Sequence, residues 1–291
     1  MIQSADLRTR AEDLAGPLPP LLAAAEHLAS TVMLGEHGRR RPGLGDEFWQ
    51  YRPAMPGDEA RMVDWRRSAR SDTHFVREKE WQAAQSIVIW SDRAQSMRFA
   101  SSDALPTKSL AARVLALAAA VLLIRGGERV GLTDARLPPR SGELQLLRLA
   151  EVFAEDDDIA DYGAPGTKGL VAHSRAIFLS DFLGDLAPVE AALTRAADRG
   201  VKGALVQILD PVEEAFPFDG RTIFESVGGT ISHETRRARD LKDRYLERLA
   251  ERKDRLQSLA RLTGWQYDCH HTDRSASGAL LWLYQALERV H

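Results

Sequence analysis

Five short strand-like runs, separated by helical stretches, constrain this chain more than any other feature. Ser86 to Trp90 is apolar and β-rich without polar alternation, the composition of a strand covered on both faces of a parallel sheet. It ends in Ser91-Asp92, and a polar loop carrying Ser96 follows. Ala176 to Ser180 and Ala204 to Leu209 repeat the pattern and end at Asp181 and Asp210. Arg129 to Thr133 and Trp265 to Cys269 supply the remaining strands. Between them lie helical signals. Pro106 sits near the start of a helix to about Arg125, closed by Gly126-Gly127. Leu144 to Ala154 is amphipathic, and Leu186 to Arg199 is stopped by Gly200. His233 to Thr263 reads as a long charged helix with Leu241, Tyr245, Leu249, Leu256 and Ala260 on one stripe, ended by Gly264. Thr272 or Asp273 can cap a last helix through about Val290. Thr222 to Glu225 reads as a short strand at an edge, and 156–169 as a loop. The alternation predicts an α/β fold, a doubly wound and mainly parallel sheet with right-handed crossovers.

The chain before Ser86 has a different character. Residues 1 to about 33 look helical, broken near Pro17 to Pro20. Gly35 to Gly45 reads as a linker. Asp46 to Gln82 is dense in charge and aromatics, and Pro53, Pro56 and Gly57 interrupt any regular element except a strand over Thr73 to Lys79. The expected organisation is an N-terminal helical segment (1–34), a small, irregular β-rich segment (35–83) and the α/β domain (84–291). A length of 291 residues suits about two domains or one large domain with an appendage.

Several function classes lack support. A formal net charge of -3 gives no whole-chain reason to expect nucleic acid. Val114 to Ile124 is wholly apolar but far short of the roughly 20 residues that cross a bilayer. The start of the chain carries Asp6, Glu12 and Asp13 before any apolar run, unlike a secretory signal, so a cytoplasmic location is expected. The single cysteine, Cys269, excludes an intrachain disulfide and a multi-Cys zinc site. Gly43-Leu-Gly45 has neither the preceding strand nor the third glycine of a dinucleotide turn.

In an open α/β sheet, ligands bind beyond the carboxyl ends of the central strands. Asp92, Ser96 and Asp181 are the oxygen donors expected there, and such donors can hold a hard cation. Aspartates after strands also cap loop and helix amides, and that reading stands beside the first. The cluster Arg52, Asp58, Arg61, Asp64, Arg66, Arg67, Arg70, Arg77 and Glu78 alternates in sign. That favours a structural ion-pair network over a phosphate-binding face, which needs unbalanced positive charge. Trp65 beside it is expected as a core anchor. His270-His271-Thr272-Asp273 could serve as a metal or acid/base group, but adjacent strand residues point to opposite faces, and the stretch reads rather as strand-edge residues and a helix cap.

Two stretches together carry a family resemblance. The first is Gly43-Leu-Gly-Asp-Glu-Phe-Trp-Gln-Tyr-Arg52, then Pro56-Gly-Asp-Glu-Ala-Arg-Met-Val-Asp-Trp-Arg-Arg-Ser-Ala-Arg70 and Phe75-Val-Arg-Glu78. The second is the Asp92 to Met97 loop after a strand. Their order resembles the bacterial domain-of-unknown-function family 58, with its Gly-Asp-x-x-Arg-x-x-Asp-Trp signature and a von Willebrand factor A-like domain. The signature positions here are Arg52, Asp58, Arg61, Asp64, Trp65, Arg70 and Arg77. The loop also resembles the Asp-x-Ser-x-Ser metal-ion-dependent adhesion site of von Willebrand A domains. Ala94 stands where that pattern has its first serine, so one oxygen ligand is missing and a degenerate site is expected.

The resemblance implies a magnesium ion on Asp92, Ser96 and Asp181, with Thr133 and Ser141 as candidates for the pattern's threonine. It also implies a partner. Family members are often encoded beside a MoxR-type AAA+ ATPase and are thought to act with it on other proteins. The expected function is therefore a non-enzymatic protein-binding adaptor, with the MoxR-type ATPase or its client as partner. The alternative is a metal-dependent hydrolase using Asp92 and Asp181. Many members carry membrane helices before the signature, and none is expected in this chain.

Overall fold

The computed structural model describes residues 20–35, 48–55, 63–69, 73–79, 84–134, 136–155, 160–225, 232–235 and 239–288. In chain order the elements are α1 (Pro20–Gly35), β1 (Phe48–Pro53), α2 (Trp65–Ser68), β2 (Phe75–Lys79), β3 (Ser86–Ser91) and a 3-10 turn (Gln95–Arg98). Then follow α3 (Lys108–Arg125), β4 (Arg129–Leu132), α4 (Glu143–Ala154), β5 (Arg175–Ser180), α5 (Ala187–Asp198) and β6 (Lys202–Leu209). The last elements are α6 (Pro211–Ala215), β7 (Thr222–Glu225), β8 (Ser232–Thr235), α7 (Arg239–Thr263), β9 (Gln266–His271) and α8 (Ala276–Glu288). The chain divides into two compact units, Glu36–Ala84 and the combination of Met1–Gly35 with Gln85–His291.

In the larger unit, five strands form one parallel sheet in the order β4-β3-β5-β6-β9. Side chains on β5 alternate between its faces, as strand geometry dictates. Ile177 and Leu179 join a core with Leu115, Leu149 and Leu283, so α1, α3, α4 and α8 contribute to one side. Ala176 and Phe178 join Leu193, Leu256 and Trp265, so α5 and α7 cover the other. Helices on both faces make the sheet doubly wound, as the alternation of apolar runs predicts. Trp265 locks the second layer. Its ring lies 4.8 Å from that of Phe178, and its Nε1 donates to the Val201 carbonyl at 3.1 Å.

α3 is buried over most of its circumference, which explains why its sequence shows apolar residues on every side. Thr107 caps it by accepting from the Leu110 amide at 3.1 Å. At the other end Gly127 adopts φ 84°, and the Glu128 amide turns back to the Leu123 carbonyl at 2.9 Å.

Several local expectations change. The helix expected from His233 starts later, at Arg239, and Ser232–Thr235 instead pairs antiparallel with Thr222–Glu225. Ser-His-Glu-Thr has no apolar helical stripe, and β7 offers it a ladder. For the same reason β7 belongs to this two-stranded ribbon and not to an edge of the main sheet. At the end of the main sheet, β9 continues through His271, so both histidines lie inside the strand. Thr272 extends the ladder through its amide to the Leu209 carbonyl at 3.0 Å, and α8 begins later, at Ala276.

In the smaller unit, β1 and β2 form an antiparallel pair that sets Tyr51 opposite Arg77 and Arg52 opposite Val76. Asp64 caps α2, its Oδ1 accepting from the Arg67 amide at 3.0 Å. Trp65 is not the core anchor expected. It is 58% exposed and meets His74 edge-on at 5.5 Å. A helix of one turn has one inward position, and Ser68 takes it, its hydroxyl donating to the Asp64 carbonyl and accepting from the Phe75 amide. Arg67 lies over the Phe75 ring at 5.3 Å. Asp58, Arg61 and Arg70 fall outside the described residues.

Candidate functional site at the strand ends

Three aspartates leave the carboxyl ends of adjacent strands: Asp92 after β3, Asp181 after β5 and Asp210 after β6. All three are buried, at 2%, 1% and 0% exposure. A buried carboxylate needs partners, and each of these has them.

Asp92 organises the first loop. Its Oδ1 accepts from the Ala94 amide at 2.9 Å, and its Oδ2 accepts from the Ser180 hydroxyl at 2.6 Å. The first bond folds the loop back on its own aspartate, and the second ties it to the end of the neighbouring strand. The 160–163 segment lies over this loop, its Ala160 and Asp161 carbonyls accepting from the Gln95 and Ser96 amides at 2.9 Å each. Gly163 passes so close that a Cβ at that position would collide with the Asp92 carboxylate. Glycine is required there by proximity.

Asp181 is held differently. Its Oδ1 accepts from the Leu183 amide at 3.0 Å, and its Oδ2 receives the Lys108 ammonium at 2.9 Å. The same ammonium donates to Glu213 Oε1 at 2.6 Å. Lys108 is the first residue of α3 and 1% exposed, so this is a buried cation between two carboxylates. Burial alone pushes its pKa down, but the charges of Asp181 and Glu213 outweigh that and hold it above the ordinary lysine value. Burial pushes the Glu213 carboxyl upward, with Lys108 acting against it. Glu213 in turn closes a capping box on α6, where Asp210 accepts from the Val212 amide and the Asp210 amide donates to Glu213 Oε2. Asp210 Oδ2 also accepts from the Ser101 amide at 2.9 Å.

The loop after β5 is fixed from below and from the side. Phe182 adopts φ 50°, and Arg252 of α7 donates to the Phe182 and Gly184 carbonyls at 2.7 and 2.6 Å. Gln207 donates to the Asp181 carbonyl at 2.8 Å and accepts from the Tyr267 hydroxyl at 2.7 Å. Tyr162, 43% exposed, lies against Gly184 at the rim.

These contacts test whether the residues fit a magnesium ion. Ser96 has a buried hydroxyl with no hydrogen-bond partner among the described residues, and so is a donor oxygen to spare. Asp181 is not to spare. An ammonium on its Oδ2 supplies the positive charge that a divalent ion would bring, and two cations on one carboxylate repel. With Ala94 contributing no oxygen, the described donor set does not fit magnesium while Lys108 holds this position. Thr133 is buried at the end of β4 and lines a cavity of about 210 Å³. The cavity is also bounded by Trp90, Asp92, Arg93 and Gly163. Ser141 is exposed.

Sequence reasoning missed Lys108 and Glu213. The one available signal is a lysine opening a helix that is otherwise apolar almost throughout.

Among curated proteins, Uncharacterized protein Rv1480 of Mycobacterium tuberculosis (strain ATCC 25618 / H37Rv) is 25% identical over 240 residues, covering 76% of this chain and 73% of that protein. Uncharacterized protein Mb1516 of Mycobacterium bovis gives the same figures. Among solved structures, the conserved hypothetical protein BatB from Bacteroides thetaiotaomicron has a TM-score of 0.40 at 14% identity, over 72% of this chain and 98% of its own. An aerotolerance-related membrane protein from Bacteroides fragilis has a TM-score of 0.39 at 14% identity, over 71% and 100%. None of the described helices is long and apolar enough to cross a membrane. The family match begins within β1 and runs through the strand-end site into α7, over residues 50–255, and by it this chain belongs to the family described as Protein of unknown function DUF58.

Proposed function

We propose that this chain is a non-enzymatic adaptor that binds a protein partner at the carboxyl edge of its parallel sheet. The observation that carries the reading is the Lys108 ammonium buried between Asp181 and Glu213. It gives Asp181, one of the three residues that the von Willebrand A resemblance assigns to a metal, a fixed internal counter-charge, which supports an edge that keeps its shape through protein contacts. Hydrolysis by Asp92 and Asp181 finds little support. Both carboxylates already accept hydrogen bonds from protein donors, Asp181 from the Lys108 ammonium among them, and a carboxylate so engaged is a weak general base. Tyr162 on the rim is the exposed aromatic residue type that interfaces favour.

The partner class comes from the family resemblance: a MoxR-type AAA+ ATPase or the client on which it acts. The test is binding of a purified MoxR-type ATPase from the same organism to the labelled chain, followed by fluorescence anisotropy. Saturable binding that survives a chelator and falls about tenfold or more in Tyr162→Glu supports the reading, a tenfold loss being about 1.4 kcal/mol. Absence of binding to the ATPase, or binding untouched by the substitution, sinks it.

A further inference from the structure

Away from the three aspartates, the end of β9 brings together a different set of donors. Cys269 and His271 are two residues apart on this strand, so their side chains leave the same face. Glu214 reaches them from α6. A carboxylate oxygen of Glu214, the Cys269 sulfur and an imidazole nitrogen of His271 all lie within 4.8 Å of one another. His271 is 8% exposed, and neither ring nitrogen makes a hydrogen bond among the described residues, although Nε2 comes to 2.6 Å from Glu214 Oε2. A buried imidazole left so poorly satisfied calls for an explanation. The Lys253 ammonium, from α7, sits against the Glu214 carboxylate, so a cation already occupies one of the three donors, and its charge also acts on the Cys269 thiol.

We infer that Glu214, Cys269 and His271 form a binding site for one divalent transition-metal cation of the zinc class, with Lys253 as its built-in competitor. Sulfur, imidazole nitrogen and carboxylate oxygen are the zinc ligand types, and three protein ligands leave a fourth position for water. Thiolate and imidazole also select against magnesium and calcium, which prefer oxygen throughout. On binding, the Cys269 thiol loses its proton to solvent, His271 contributes the lone pair of a neutral ring nitrogen, and Lys253 withdraws still protonated. The metal then ties the end of an edge strand to α6, the helix whose capping box holds Glu213 against Lys108.

The probe is cobalt(II), titrated into the reduced full-length chain under anaerobic conditions. Because Cys269 is the only cysteine, a thiolate-to-cobalt charge-transfer band has one possible source. A band in the wild type that saturates at one equivalent, is bleached by zinc and not by magnesium, and is lost in Cys269→Ser supports the site. Lys253→Met removes the competitor and should tighten cobalt binding at least about tenfold, a change of about 1.4 kcal/mol. Because this variant gains binding, misfolding cannot imitate the result. No charge-transfer band in the wild type, or equal affinity in wild type and Lys253→Met, overturns the inference.

Discussion

The Nζ of Lys108 lies 2.9 Å from Asp181 Oδ2, and each side chain is only 1% exposed. Breaking a buried pair by removing one partner is far costlier than replacing the whole group, because the remaining charge stays buried and uncompensated. Lys108→Met leaves Asp181 and Glu213 facing each other with no counter-charge. It should cost roughly 3–5 kcal/mol in denaturant unfolding. Adding Asp181→Asn and Glu213→Gln should recover a large part of that loss, since groups in one network are not additive. A Lys108→Met cost below about 1 kcal/mol, the level of an exposed pair, would exclude this account of the triad.

Gly163 gives a steric prediction for the first loop. Its missing Cβ is the space into which the Asp92 carboxylate fits. Gly163→Ala therefore forces Asp92 off its bonds to Ala94 and Ser180 or displaces the 160–163 segment. Overpacking of this kind costs about 1–3 kcal/mol. Gly278→Ala is the matched control. It lies in α8 with open space around the position, where the substitution should be neutral or stabilise by about 0.4–1 kcal/mol. Thermal unfolding of the two variants side by side separates a local collision from a general intolerance of added methyls.

Much of the sheet could be read from sequence because its strands are covered on both faces and so appear as unbroken apolar runs. Asp92 and Asp181 could be read as strand-end positions because they follow such runs directly. Their partners could not. Lys108 meets Asp181 across 73 positions and Glu213 across 105, and no local pattern reports either contact. The same holds for Glu214 beside His271, where the sequence offers only two adjacent histidines. β8 is a case of another kind. Four polar residues with no periodicity carry no strand signal, and only the pairing partner in β7 defines them.

His270 leads to a pH prediction. Burial pushes its pKa below the ordinary histidine value, and His271 and Arg274 push the same way against Asp273. A depressed histidine stays neutral in the folded chain while the unfolded chain takes up a proton. Its stability contribution is thus present above the unfolded value of 6.5 and is lost as pH falls below it, toward the folded value. The raised carboxyls of Glu213 and Asp268 act in the opposite direction at lower pH, so the histidine is isolated by difference. His270→Gln should be less stable than wild type at pH 8, with the gap narrowing as pH is lowered below 6.5. A gap that stays constant over that range would remove His270 as the source.

The relation between Lys108 and the missing serine at position 94 can be tested with magnesium as a stability probe. If the ammonium substitutes for a cation, restoring the serine alone should change nothing, because the charge at Asp181 is already balanced. Ala94→Ser should therefore unfold at the same temperature with magnesium or with a chelator. Combining Ala94→Ser with Lys108→Met removes the ammonium and adds the missing hydroxyl to the oxygens of Asp92, Ser96 and Asp181. That double variant should be destabilised in chelator and recover with magnesium. A ligand that binds only the folded state stabilises by about 2.7 kcal/mol at a hundredfold excess over its Kd. Magnesium stabilisation of Ala94→Ser with Lys108 intact would show that lysine and metal coexist, and the internal-cation reading would fail.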